Sequence, residues 1–247
     1  MIDSIIALAL ILVTAGLIFL FTLQRNVLRS GLRPLPAFDR LRRAIGLAVE
    51  NGTRIHITLG KAGMVQSISA AGLAGLTTLE RIARVSSISD RPPIATSGEG
   101  TLAILSQDTL RAAYRQINQI DLYNADRGRL SGATSFSYAA GLLPIANNEN
   151  VSTHIAIGNF APEIALLMEA ADQESAFTLA ATDSLSAQAA LYPSTQESLI
   201  GEELFAIPAY LNAGAVYTAS LQAQDVLRWG VVLILIAGAV LRLMGVV

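Results

Sequence analysis

The chain has 247 residues, 52% of them hydrophobic, with 17 lysines and arginines against 19 acids and no cysteine. A slightly acidic chain without a basic stripe interleaved with aromatics is not built for nucleic acid, and the lack of cysteine excludes disulfides, thiolate metal sites and cysteine nucleophiles. With its apolar ends set aside, enough sequence is left for one large or two small domains with a core of their own.

Residues 5–23 (IIALALILVTAGLIFLFTL) carry no charge, and at about 1.5 Å per helical residue they cover a hydrocarbon layer of roughly 30 Å. Asp3 is the only charge ahead of this span, while Arg25, Arg29, Arg33, Arg40, Arg42 and Arg43 follow it. The positive-inside bias then places the body in the cytoplasm and both termini outside a cell (inner) membrane. A cleaved signal peptide would need a basic start, a shorter apolar stretch and a small-residue cleavage site, and the sequence has none of these. A second apolar run, residues 229–247, is entered through Arg228 and Trp229. Arg242 lies about 21 Å further along that helix. It either snorkels to the far headgroups or pairs with Asp3.

Charge is segregated along the body. Residues 25–129 hold 15 basic groups and 8 acids, whereas residues 130–227 hold 10 acids and no lysine or arginine. Complementary potentials of this kind favour contact between the halves, within one protomer or from one to the next.

Leaving the membrane, Arg33-Pro34-Leu35-Pro36 reads as an extended elbow. Residues 38–50 space Leu41, Ile45, Ala48 and Val49 on one helical face, and Asn51-Gly52 ends the helix. RIHITL, residues 54–59, alternates apolar and polar, predicting a strand with one apolar and one polar face. Gly60-Lys61-Ala62-Gly63 turns into an Ala/Leu helix over residues 69–85. PIATS (93–97) predicts the next strand, Gly98-Glu99-Gly100 the next turn, and Ser106 an N-cap for a helix reaching Ile117. Strand, glycine turn and helix in repetition is the rhythm of a parallel α/β layer.

The second half echoes the first. A shift of 98 residues lays Phe38 on Phe136, Ala48 on Ala146, His56-Ile57 on His154-Ile155 and Gly60 on Gly158. THIAIG leads to a helix over 162–171 and then to the strand FTLAA (177–181). The expected fold class is therefore α/β, with duplicated Rossmann-like parallel lobes flanked by transmembrane helices. The expected division is a first span (1–24), a basic elbow (25–36), lobe 1 (37–120), a linker (121–135), lobe 2 with C-terminal helices (136–228) and a second span (229–247). Ser194-Thr195-Gln196-Glu197 has capping-box spacing, predicting a helix from Thr195 through SLIGEELFAIPAYL, bent at Pro208. Residues 213–228 read as helix leading into the second span.

Few residues offer chemistry. Lys61 is the only lysine. With Gly60, Gly63, Gly98, Gly100 and Gly158 it stands at turns following strands, where parallel sheets bind anionic ligands. GKAG lacks Walker spacing and a following Ser or Thr, so the alternative is a solvated turn lysine. Gly98-Glu99-Gly100 opens like a dinucleotide loop but lacks the third glycine and adds a negative charge. His56 and His154 hold matching positions on matching strands; zinc is one reading, but neither has a ligand partner at short spacing, and hydrogen-bonded core or interface histidines are the other. With no cysteine and no Gly-x-Ser-x-Gly elbow, a triad hydrolase lacks support. Glu203 shares a helical stripe with Leu199, Ile207 and Tyr210, which calls for an arginine partner unless the helix is rolled to expose both Glu202 and Glu203. Glu202, Glu203 and Arg242 are thus the buried-charge or assembly candidates. No catalytic residue, metal or cofactor is expected.

SLIGEELFAIPAYL, followed by SLQAQDVLRWG and an apolar tail, together with PAFDRLRRAIGLAVENGTRIHITLG, resembles an uncharacterised bacterial family known as a domain of unknown function. The resemblance covers nearly the whole chain and implies a membrane span at each end with an α/β body between. It implies no reaction, and no lysine where this chain reads GKAG. The expectation is a non-enzymatic scaffold in the lipid bilayer that assembles as a homo-oligomer, a ring or lattice, with other membrane proteins as further partners and no nucleic acid. The alternative is a membrane-tethered sensor for a nucleotide or another small anionic metabolite. A tethered enzyme rests on fold analogy alone.

Overall fold

The computed structural model describes residues 2–23, 33–61, 69–86 and 89–244. The chain divides into two compact units, residues 34–211 and residues 1–33 with 212–247.

The larger unit is an α/β body. Its helices are α2 (Pro36–Glu50), α3 (Ser69–Ser86), α4 (Gly100–Gln116), α5 (Ser135–Asn148), α6 (Ala165–Gln173), α7 (Leu185–Ser194) and α8 (Glu203–Tyr210); its strands are β1 (Arg54–Gly60), β2 (Ile94–Ser97), β3 (Gly128–Leu130), β4 (Val151–Asn159), β5 (Phe177–Thr182) and β6 (Glu197–Ile200). The strands form one parallel sheet in the order β3-β2-β1-β4-β5-β6, which reverses direction between β1 and β4. Both sequence halves therefore contribute to a single sheet. Apolar residues of α2, α3, α4 and α8 share a core with one sheet face, around Ile55, Ile57, Leu59, Ile155, Ile157 and Leu179. Residues of α5, α6 and α7 cover the other face, around Ala156 and Ala180.

Local chemistry explains most elements. A proline in its first turn starts α2, Leu41, Ile45 and Ala48 bury its inner face, and Gly52 follows its end at φ 63°. Phe38 stacks on Tyr210 with ring centroids 4.2 Å apart, and Arg42 Nη2 donates to the Tyr210 carbonyl at 2.8 Å. The beginning and end of the body thus meet. Ion pairs join the basic and acidic halves within the chain: Arg54 and Arg129 both hold Glu149, and Arg40 holds Glu197.

Several expectations are corrected. The supposedly polar face of β1 is buried, because a parallel sheet is covered by helices on both sides; His56 and His154 are fully enclosed. Residues 197–200 are the edge strand β6, not helix, because pairing with β5 (Leu179↔Glu197) takes precedence over the capping-box pattern; the helix begins only at Glu203. Ser106 is not a cap: α4 begins at Gly100, and the Ser106 hydroxyl donates back to the Ala103 carbonyl inside it. Residues 128–130, inside the segment read as a linker, form β3.

The smaller unit consists of α1 (Ile2–Leu23) and α9 (Ala215–Leu243), which pack on each other. Both are long and apolar enough to cross a bilayer, consistent with a two-pass membrane protein. Thr14 and Thr22 donate to the carbonyls four residues earlier, at 2.7 Å each, so both threonine hydroxyls of α1 are satisfied within the helix. The helix expected over 213–228 and the second span are one continuous element.

Candidate functional site

In a sheet of this order, ligands bind where the strand order reverses, beyond the carboxyl ends of the strands. Here that place lies between the ends of β1 and β4, and it brings Gly60, Lys61, Gly98 and Gly158 together. The two strands approach closely. A Cβ on Gly60 would run into the Asn159 carbonyl, and one on Gly158 into the Leu59 carbonyl. Lys61 N donates to Asn159 O at 3.0 Å and Gly98 N to Gly60 O at 2.8 Å, continuing the sheet bonding past the strand ends.

The Lys61 side chain lies over Gly98, whose missing Cβ makes room for its Cγ, and its Nζ donates to Ser135 Oγ at 2.9 Å. Ser135 opens α5, which is capped reciprocally: Thr134 Oγ1 accepts from Ser137 N at 3.2 Å and Ser137 Oγ accepts from Thr134 N at 3.0 Å. Thr134→Ala should therefore cost about 1 kcal/mol in a denaturant titration. Burial lowers the Lys61 pKa from its ordinary value, while the Glu163 carboxylate pulls it up. The cavity lined by Lys61, Ser135, Tyr138, Phe160 and Glu163 holds only about 10 Å³, roughly the room one water needs. A lysine beside helix-start amides is anion-binding chemistry, yet the side chains as placed leave a nucleotide no room. The lysine donates to the serine oxygen, so Ser135 is not held as an activated nucleophile. Gly100 begins α4 at the same edge, with Glu99 before it. Gly63 lies outside the described residues.

Behind this edge runs a buried polar network on the sheet face covered by α5. The Tyr138 hydroxyl accepts from Gly60 N at 3.2 Å and is bonded to Thr58. Burial pushes its pKa up to about 12. His56 Nε2 meets Thr96 Oγ1 at 2.8 Å, and the Nδ1 atoms of His56 and His154 are 3.0 Å apart across β1 and β4, where the two residues are in register. An Nδ1 to Nδ1 bond needs one donor and one acceptor, so the accepting ring must be neutral and the two cannot both be protonated. Burial, then the neighbouring ring and the Arg129 charge, drive the His56 pKa well below its ordinary value; burial lowers that of His154 to about 4. His154 Nε2 is buried without a hydrogen-bond partner among the described residues, which favours the tautomer in which His154 Nδ1–H donates and Nε2 is a bare acceptor. Among the described residues no three metal-type side chains cluster. The sequence shift pointed to these histidines; their mutual contact had no sequence signal.

The same edge exposes large apolar side chains. Leu185 is 82% accessible, Phe136 73%, Ile104 62%, Leu130 54% and Ile200 49%. Phe136 and Leu185 sit in the first turns of α5 and α7, and Leu130 and Ile200 end the two edge strands. Their neighbours in sequence read as ordinary turn residues, so only the topology places them along the carboxyl end of the sheet, with Leu130 and Ile200 at its two opposite margins.

Of the charge candidates, Glu202 is exposed, and Glu203 is half-buried and accepts the Ile200 N–H at 3.3 Å. The expected arginine is replaced by a backbone donor at the helix start. Arg242 stands in the last turn of α9.

A family model described as a domain of unknown function, DUF6754, matches residues 2–247. No curated protein and no solved structure matches the chain.

Proposed function

The chain belongs to the DUF6754 family, and from that premise we propose a membrane-anchored structural protein whose α/β body self-associates into a homo-oligomeric complex. One observation carries the reading: the edge where such a sheet would admit a ligand is filled by Lys61 and the start of α5, and it exposes Phe136, Leu185, Ile104, Leu130 and Ile200 instead. Exposed apolar groups of this size along one edge are the mark of an interaction surface. Two apolar helices at the chain ends support confinement to a bilayer, which orients copies alike and favours a closed ring or a planar lattice. The arginines after α1 support a cytoplasmic body with both termini outside. The 98-residue shift, with His56 paired in register to His154, supports an origin by duplication of a Rossmann-like half.

Light scattering on the full chain in detergent tests the assembly. The wild type should elute as a defined oligomer, and Phe136→Glu with Leu185→Glu should convert it to monomer without lowering its melting midpoint. A wild type that stays monomeric at every concentration refutes the reading. One observation favours the ligand-sensor alternative: a lysine ammonium at the first turn of α5 opposes the helix dipole, and an intervening anion would relieve this. Nucleotide-dependent thermal stabilisation that Lys61→Ala abolishes would favour that alternative.

A further inference from the structure

A cavity lies at the opposite end of the sheet from Lys61. It is an open groove of about 740 Å³, within the range of small-molecule sites, about 300–1,000 Å³. One wall is a stripe of α2 (Arg40, Arg43, Ala44 and Leu47) continued by Asn51; the other is formed by the starts of β4, β5 and β6 with the residues just ahead of them. Helix periodicity explains the first wall, since these positions recur every three or four residues on the flank of α2 that does not face the core. The second wall exists because α2 leaves the amino ends of the outer strands uncovered.

The chemistry of the lining is specific. Glu197 is only 7% exposed, and its Oε1 is 2.5 Å from Arg40 Nε. That pair uses one edge of the Arg40 guanidinium and leaves Nη1 and Nη2 without a protein partner among the described residues. Arg43, one turn on, spends only its Nε, on the Asp39 carbonyl at 3.4 Å, and has no carboxylate within ion-pair distance among the described residues. Two arginine forks one turn apart therefore have donors to spare over a groove holding a single, already paired carboxylate. Guanidinium forks match phosphate and carboxylate bidentately. Between them and the strands lie Ala44, Leu47 and Phe177, with Leu47 56% exposed, and the Ser152 and Ser175 hydroxyls complete the rim.

We propose that this groove binds a small amphiphilic anion, with a phosphate or carboxylate head held by Arg43 and Arg40 and an apolar body laid on Leu47 and Phe177. This site is independent of the assembly edge, from which it is separated by the length of the strands. Either a soluble metabolite or a lipid headgroup has this chemistry.

The test uses the full chain in nanodiscs of zwitterionic lipid, titrated with phenyl phosphate, hexanoate and inorganic phosphate while the melting midpoint and binding heat are followed. Phenyl phosphate and hexanoate should bind saturably and inorganic phosphate far more weakly. Arg43→Ala and Leu47→Asp should each weaken binding about tenfold, the equivalent of about 1.4 kcal/mol. Both side chains are exposed, so neither change should lower the midpoint of the unliganded protein; Lys61→Ala should leave binding untouched. Discs containing anionic lipid identify the source: competition that depends on Arg43 assigns the site to a headgroup, and unchanged affinity assigns it to a soluble anion. Absence of saturable binding by both organic anions, or binding indifferent to Arg43→Ala, overturns the proposal.

Discussion

Gly60→Ala and Gly158→Ala should each destabilise the body by about 3 kcal/mol or more, a large fraction of the stability of a single domain. At both positions the methyl group would meet backbone, not a movable side chain: the Asn159 carbonyl in one case, the Leu59 carbonyl in the other. Gly60 also adopts φ 74°, which a Cβ disfavours. Relief requires β1 and β4 to part, and they are the central pair of the sheet. Parting them would cost the bond from Lys61 N to Asn159 O and open the core on both faces. Gly100 is the contrast. A Cβ there meets nothing within 4 Å, and the residue begins α4, so Gly100→Ala should be neutral or stabilising by a few tenths of a kcal/mol. Urea titrations of the three variants decide the matter. Equal midpoints would mean that the strand ends are not closed as described.

Acid should weaken the body well before its carboxylates protonate. His154 titrates near 4 when folded against 6.5 in an unfolded chain, and His56 is shifted in the same direction. Above about pH 7.5 neither state holds the proton and stability is flat. Between about pH 6.5 and 4 the unfolded chain takes up protons that the folded chain refuses, so stability falls by up to about 1.4 kcal/mol per pH unit for each histidine. For His154 alone the loss totals about 3 kcal/mol before its folded form titrates too. The charges near the pair do not offset this, because Arg54 and Arg129 bracket Glu149 on the same face and sum to positive. His56→Leu with His154→Leu replaces two buried imidazoles with apolar groups and should flatten the unfolding midpoint over this window. A double variant that retains the wild-type slope would assign the acid response elsewhere.

The individual elements were legible where local chemistry sets them. β1, β2, β4 and β5 are runs of β-branched and apolar residues between turn signals, and α2 and α3 carry apolar spacing that their neighbours along the chain are enough to define. β3 escaped because a strand of three residues carries almost no periodicity. In β6 a Ser/Thr-x-x-Glu pattern pointed the wrong way: Glu197, read as a helix-capping acid, is a buried strand residue held by Arg40. The site was legible only as a set of glycines and one lysine. Whether the space beyond them is open depends on α5, whose first turn comes from the other half of the chain.

By itself the sequence determined the apolar end helices, the α/β rhythm and the charge asymmetry, because each depends on residues close in the chain. Tertiary structure alone decided that the two halves share one sheet, that the histidines touch, that the ligand edge is filled and apolar, and that a cationic groove opens at the other end. These follow from which strand lies beside which. Strand order and register are set by burial and hydrogen bonding between segments tens of residues apart, and no local pattern encodes them.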